Sequence, residues 1–177
     1  MTLNIENFME HLRAVVEERG RDYVYLGFDI DTTVDEGEII SQTITERTER
    51  TYAADCVYRN PLTGEPSCII GKIVAAADPE AFEAIAQAEK DYGYESFPVN
   101  AFRRDAGVDV FEDGETEGLA AAVQALQDRG FEYGLVLDFA EAYVEADSAR
   151  RVKLLNESYM ANLAFTDALK KAIHPED

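Results

Sequence analysis

The chain has no tryptophan, two cysteines, two histidines and only five lysines among its 177 residues. Cys56 and Cys68 are too few for a disulfide framework, and nothing at the N-terminus reads as an export signal. They are therefore expected to be reduced, in a cytoplasmic protein. His11 and His174 lie near opposite ends of the chain. A zinc site would need close ligands, typically with a Cys-x₂₋₄-Cys knuckle, and none is present. Two remote histidines also give no Ser-His-Asp or Cys-His pairing. No phosphate-cradling loop is present, because Lys72 is followed by Ile73 rather than Ser or Thr. No run of eighteen apolar residues predicts a membrane span. No cofactor is expected.

Positive charge is the other shortage. Thirty-six acids face sixteen Lys and Arg, a formal net charge of −20. The excess is uneven. Residues 105–147 carry twelve acids and one base, Arg129, a net of −11. Residues 39–75 hold four of each sign, and residues 148–177 come to +1. A field of this sign disfavours nucleic acid and anionic membrane as partners and favours a basic protein surface.

A hydrophobic fraction of 46% is enough to build a core. Ile5, Phe8, Met9, Leu12 and Val16 recur at helical spacing, with Asn4 as cap and Gly20 as stop, so residues 4–19 read as a helix. Val24, Leu26, Phe28 and Ile30 then alternate as a strand, with a turn through 31–38 and a returning strand over 39–52. Residues 56–58 read as a short extended piece, and 60–64 as a turn. A small antiparallel sheet is thus expected within 22–59. Pro66 is expected at the first position of a buried helix over 67–76. Asp78-Pro79-Glu80 starts another helix, which Gly93 ends. Residues 94–111 give no clear period. Leu119, Ala122, Val123 and Leu126 mark a further helix that Gly130 stops, and Leu135, Phe139 and Ala142 begin the next. Val152, Leu155, Tyr159, Leu163, Thr166 and Leu169 trace one stripe, expected as a single long helix closed by His174-Pro175. The expected fold class is α+β, mainly helical, with an α+β globular domain over 1–147 and a C-terminal helix, 148–177, packed on it.

Several patterns bear on chemistry. Asp29-Ile30-Asp31-Thr32-Thr33 resembles the Asp-x-Asp-x-Thr signature of haloacid-dehalogenase-type phosphatases. The resemblance implies Asp29 as nucleophile and Asp31 as general acid beside Mg²⁺. That fold needs a parallel sheet with crossover helices. A calcium loop fails on spacing: from Asp31 the sixth position is Glu36 and the twelfth Gln42, where Gly and Glu belong. Cys68 would lie in the first turn of a helix, where a thiolate is favoured, yet it precedes Ile69-Ile70 and reads as a buried structural thiol. Tyr92, Tyr94 and Phe97 cluster near Gly93 and Pro98, either as a loop packed on the core or as a recognition loop.

Cys56-Val57-Tyr58, the segment from Gly64 through Pro66-Ser67-Cys68-Ile69-Ile70-Gly71, and Ala121-Ala122-Val123 through Gly130 with Tyr133-Gly134 together resemble small proteins of actinobacteria and their bacteriophages. The likeness covers about a third of the chain. It implies a phage or actinobacterial origin, in keeping with the excess of Arg over Lys, and implies no activity.

The acids themselves form two groups. Asp138, Glu141 and Glu145 fall at i, i+3 and i+7, on one helix face. Asp109, Glu112, Asp113, Glu115 and Glu117 form a dense turn leading into a helix start. These eight are the expected partner-binding residues of a non-catalytic interaction protein that binds a basic host surface, including that of a nucleic-acid-binding protein. The alternatives are the phosphatase using Asp29 and Asp31, and a small-ligand binder with a Tyr-lined pocket on which Arg59, Arg103 or Arg104 converge.

Overall fold

The first helix, α1, spans Ile5–Arg19 and is capped as its ends predict. The Asn4 side chain accepts from Asn7 N–H at 3.0 Å, and Gly20, at φ +93°, ends it. Phe8, Met9, Leu12, Val15 and Val16 form its buried face. The structure, a computed structural model, describes residues 2–36, 38–49, 56–94, 97–161 and 166–174.

The antiparallel sheet falls within the expected segment but starts later. β1 is Phe28–Asp35 and β2 is Glu38–Glu46, and the two form one hairpin. Residues 21–27 are not strand. Tyr25 is buried there, and its hydroxyl stands in for a ladder by accepting from Val57 N–H at 3.1 Å and donating to Val57 C=O at 3.4 Å. The alternation over 23–28 thus records burial of Tyr25 in irregular backbone. The expected turn over 31–38 is strand as far as Asp35, and the chain reverses at Glu36, whose φ is +49°. The part of that turn assigned to Gly37, and the end of the returning strand over 50–52, lie outside the described residues.

Residues 56–59 cross the core without joining a sheet. The Asn60 side chain accepts from Leu62 and Thr63 N–H and sets the predicted turn. Helix α2, Ile69–Ala77, starts three residues after Pro66, because Cys68 takes the cap position and its sulfur accepts from Gly71 N–H. Pro66 instead pairs with Arg59 in an isolated bridge. Cys56 and Cys68 are joined as a disulfide, with Cα atoms 6.0 Å apart, which corrects the expectation of reduced thiols. Twelve residues of separation do not disclose proximity; the turn at Asn60 brings the two together. Gly71 faces the segment so closely that a Cβ would overlap the Tyr58 carbonyl.

Helix α3, Pro79–Asp91, opens on Asp78, which accepts from Ala81 N–H, and Gly93 follows its end at φ +70°. A 3₁₀ turn, Val99–Ala101, and a π-helical turn, Phe102–Ala106, fill the stretch that gave no period. α4 is Gly114–Asp128 and α5 is Tyr133–Glu145. The expected single C-terminal helix is two: α6, Ser148–Met160, ends where Ala161 turns extended, and α7 is Thr166–Ile173. The stripe also faces differently. Leu154 and Ser158 form the buried side of α6, whereas Val152 and Tyr159 are 60% and 48% exposed. Leu163 and Pro175, two of the residues assigned to that helix and its end, lie outside the described residues. α6 packs on α4 and α5, α7 packs on α6 and α5, and Leu154, Leu169, Ala172 and Ile173 join the same hydrophobic cluster as α1 to α5. The result is a mainly helical α+β domain with one two-stranded antiparallel sheet.

No helix among the described residues is long and apolar enough to cross a membrane.

Candidate functional site

Four of the acids of 105–117 gather around a cleft because of how the chain leaves the π-helical turn. Gly107, at φ +70°, ends that turn, and the chain then runs extended to Asp113, the cap of α4. Leu3 clamps this run from the side: its N–H donates to Val110 C=O at 2.7 Å, and its C=O accepts from Glu112 N–H at 2.9 Å. Phe102 and Phe111 stack with centroids 6.3 Å apart. The cleft, of about 360 Å³, has Val99, Phe102, Val108 and Phe111 in its wall and Asp109, Glu112, Asp113 and Glu117 around it.

These four carboxylates are not equivalent. Asp109 is bonded to Arg103. Asp113 accepts from Thr116 N–H at 2.7 Å, which holds its carboxyl below the ordinary range. Glu112 is exposed and makes no side-chain bond among the described residues. Glu117 is half-buried and has no ion pair among the described residues. Glu115 points elsewhere, toward Arg151 on α6.

The second expected group does not extend this surface. Asp138 accepts from Arg21 at 2.6 Å and Glu141 from Arg13 at 3.0 Å, so both carboxylates knit α5 to α1 and to the chain after it. Of that face only Glu145 is exposed without an ion pair among the described residues. The helical spacing correctly puts the three on one side, but that side is partly spent on intramolecular contacts. Arginines are used the same way elsewhere. Arg150 donates to the Ile173 carbonyl at the end of α7, Arg151 to those of Tyr143 and Val144 at the end of α5, and Arg129 to that of Ser158 in α6. Bases of a slightly cationic tail thus serve helix ends instead of neutralising the acidic cleft.

Asp29 and Asp31 stand on the exposed face of the hairpin, and Asp29 accepts from Arg47 at 2.6 Å. Their strand pairs antiparallel, with no parallel neighbour among the described residues, so the frame that the phosphatase signature requires is not formed. No group of three or more metal-ligating side chains occurs among the described residues. Arg59, Arg103 and Arg104 do not converge: they bond Glu83, Asp109 and Asp105 in turn. A Tyr-lined cavity does exist, of about 270 Å³, at the base of the hairpin beside Tyr23, Tyr25, Arg19 and Arg47. In the aromatic cluster Phe97 is buried and Tyr92 stacks over it at 6.1 Å while remaining 53% exposed.

Sequence reasoning missed a buried polar network. Glu89 is fully buried and accepts from Tyr58 N–H at 2.9 Å and from Arg59 N–H at 3.4 Å. Burial raises its carboxyl to about 8 despite those bonds. Gln124 accepts from Val99 N–H at 3.0 Å and donates to the Tyr58 hydroxyl at 2.9 Å, and Gln127 accepts from Ile69 N–H at 2.6 Å. Each side chain satisfies backbone donors that lack a partner of their own: those of the irregular 58–59 segment, of the first residue of the 3₁₀ turn and of the first residue of α2. Glu89 was findable, since it extends the spacing of Phe82, Ile85 and Ala86 on α3.

No family model, curated protein or solved structure matches this chain.

Proposed function

We propose that the protein is a non-catalytic acidic interaction protein, phage-encoded, that binds a basic surface of a host protein in the bacterial cytoplasm. Inhibition of a nucleic-acid-binding protein is the most specific form of this reading. The observation that supports it best is the cleft beside α4. An apolar wall of Phe102, Val108 and Phe111 lies next to Glu112 and Glu117, neither of which has an ion pair among the described residues, while Arg103, which also lines the cleft, is bonded to Asp109. Such a site suits Lys or Arg, whose aliphatic stem lies along apolar surface while the charged head meets carboxylate. The net charge of −20 would speed encounter with a cationic partner and make it salt-dependent. Both sulfurs of the disulfide are buried, which limits access for attacking thiols in a reducing compartment.

The test is capture from actinobacterial lysate at low and high salt, with wild type beside E112K/E117K and E145K. Salt-sensitive capture that is lost in the double variant supports the reading. Capture that survives E112K/E117K removes the cleft from it. Reversal of Asp138 or Glu141 is a poorer probe, because it also breaks contacts with Arg21 and Arg13.

The cavity beside Tyr23 and Tyr25 favours a second reading, a small-ligand binder. A tyrosine fluorescence change on addition of a ligand, lost in Tyr23→Ala, would support that reading over the first.

A further inference from the structure

The hairpin is the part of the molecule that the acidic cleft leaves unexplained. Among the described residues β1 and β2 pair only with each other, and neither strand packs against a helix. Among the described residues the hairpin meets the body at its base, where Phe28 is buried and Glu46 accepts from the Asn60 side chain at 3.3 Å, and on the β2 side, where Gln42 donates to Gly93 C=O at 3.0 Å and the Ile39 side chain lies against Gly93. A two-stranded ribbon of this kind is marginal in water by itself; a third strand gives it a stable face. Both outer edges carry backbone groups that bond to no other segment among the described residues.

The two edges differ. The register pairs Thr33 with Ser41 and Val34 with Ile39, so Ile40 is an extra residue bulged out of β2. A bulge breaks the regular spacing that a new strand would need. β1 runs without interruption from Phe28 to Asp35.

Side chains along β1 state what would fit beside it. Asp29, Asp31 and Thr33 face outward and are exposed, while Ile30 and Thr32 on the other face are half-buried. The exposed Val34, Ile39 and Ile40 lie at the tip. Residues 28–46 hold six acids and no base. A second copy of the same ribbon would bring like charges directly opposite each other, which is destabilising.

We infer that the free edge of β1 takes up an extended segment of a partner protein as a third strand, with Lys or Arg alternating with apolar residues. Backbone bonds of the ladder supply the attachment. Basic side chains on the outer face lie beside Asp29 and Asp31, and apolar ones on the inner face lie beside Ile30 and Thr32. Asp31, which has no ion pair among the described residues, is the main charge contact. The inference rests on the basic-partner reading above but names a different surface.

The experiment uses the full chain and a short end-blocked peptide of alternating Lys and Val. Calorimetry gives affinity at low and high salt, and amide hydrogen exchange gives the place of binding. Expected are protection of amides within 28–35 and loss of affinity by about tenfold or more in D29K/D31K, against little change in E112K/E117K. The same peptide N-methylated at alternate residues keeps its charge but cannot form the ladder, and it should not protect β1. The inference is overturned if the N-methylated peptide binds as well, if binding is lost in E112K/E117K and kept in D29K/D31K, or if no peptide binds. The second result would leave the cleft reading standing, and survival of lysate capture in E112K/E117K with peptide binding intact would do the reverse.

Discussion

Glu89 offers the sharpest quantitative test of this fold. Its carboxyl, fully buried between α3 and the Tyr58 segment, is raised from an ordinary 4.5 to about 8, chiefly by loss of water. Below pH 4.5 folded and unfolded chains both hold the proton, and the folded state has its full stability from this group. Between 4.5 and 8 the unfolded chain ionises while the folded one stays protonated, so stability falls by about 1.4 kcal/mol per pH unit. The whole window amounts to about 5 kcal/mol, much of the stability a small domain possesses. Carboxyls held low, such as Glu18 by its bond from Lys72 and Asp113 by its bond from Thr116 N–H, act in the other direction. They lose stability only as pH falls through the acid range, below this window. The hydroxyls of Tyr58 and Tyr25, pushed up by burial, titrate above it. Glu89→Gln keeps an acceptor for Tyr58 N–H without a charge. Urea unfolding from pH 5 to 8 should therefore show wild type losing stability across the range and Glu89→Gln nearly flat. Parallel curves for the two proteins would refute the reasoning, and would mean that the bonds from Tyr58 and Arg59 outweigh desolvation.

Gly71→Ala should destabilise by about 1–3 kcal/mol, read from the urea midpoint, because the new methyl overlaps the Tyr58 carbonyl and α2 must shift. An unchanged midpoint would show that α2 moves freely. Replacing both Cys56 and Cys68 by Ala should cost about 3 kcal/mol through loss of the crosslink, with further loss of the Cys68 cap on α2. The same urea titration under reducing conditions should shift the wild type and leave the double variant where it is.

Local signals explain most of the elements. Asn4, Asp78, Asp113 and the glycines at 20, 93 and 130 act within one helical turn of their own position, so their effect is legible in order along the chain. The hairpin was legible as a sheet, but not its start, because Tyr25 satisfies Val57 from a side chain and mimics the strand period. The C-terminal stripe misled for a related reason. Apolar spacing says which residues share a face of a helix, not whether that face meets the core, and on α6 Leu154 and Ser158 were chosen instead.

The candidate site divides in the same way. Composition alone determined that the protein is strongly acidic and that 105–147 holds much of the excess. Charge adds along a chain whatever its fold. Which carboxylates remain available was decided only in three dimensions, where Arg13, Arg21, Arg103 and Arg151, distant in sequence from most of their partners, reach Glu141, Asp138, Asp109 and Glu115. The disulfide, the buried carboxyl of Glu89 and the open edge of β1 likewise depend on contacts between separated segments. A periodic pattern carries no trace of a partner that packing alone brings near, and none of one that packing leaves absent.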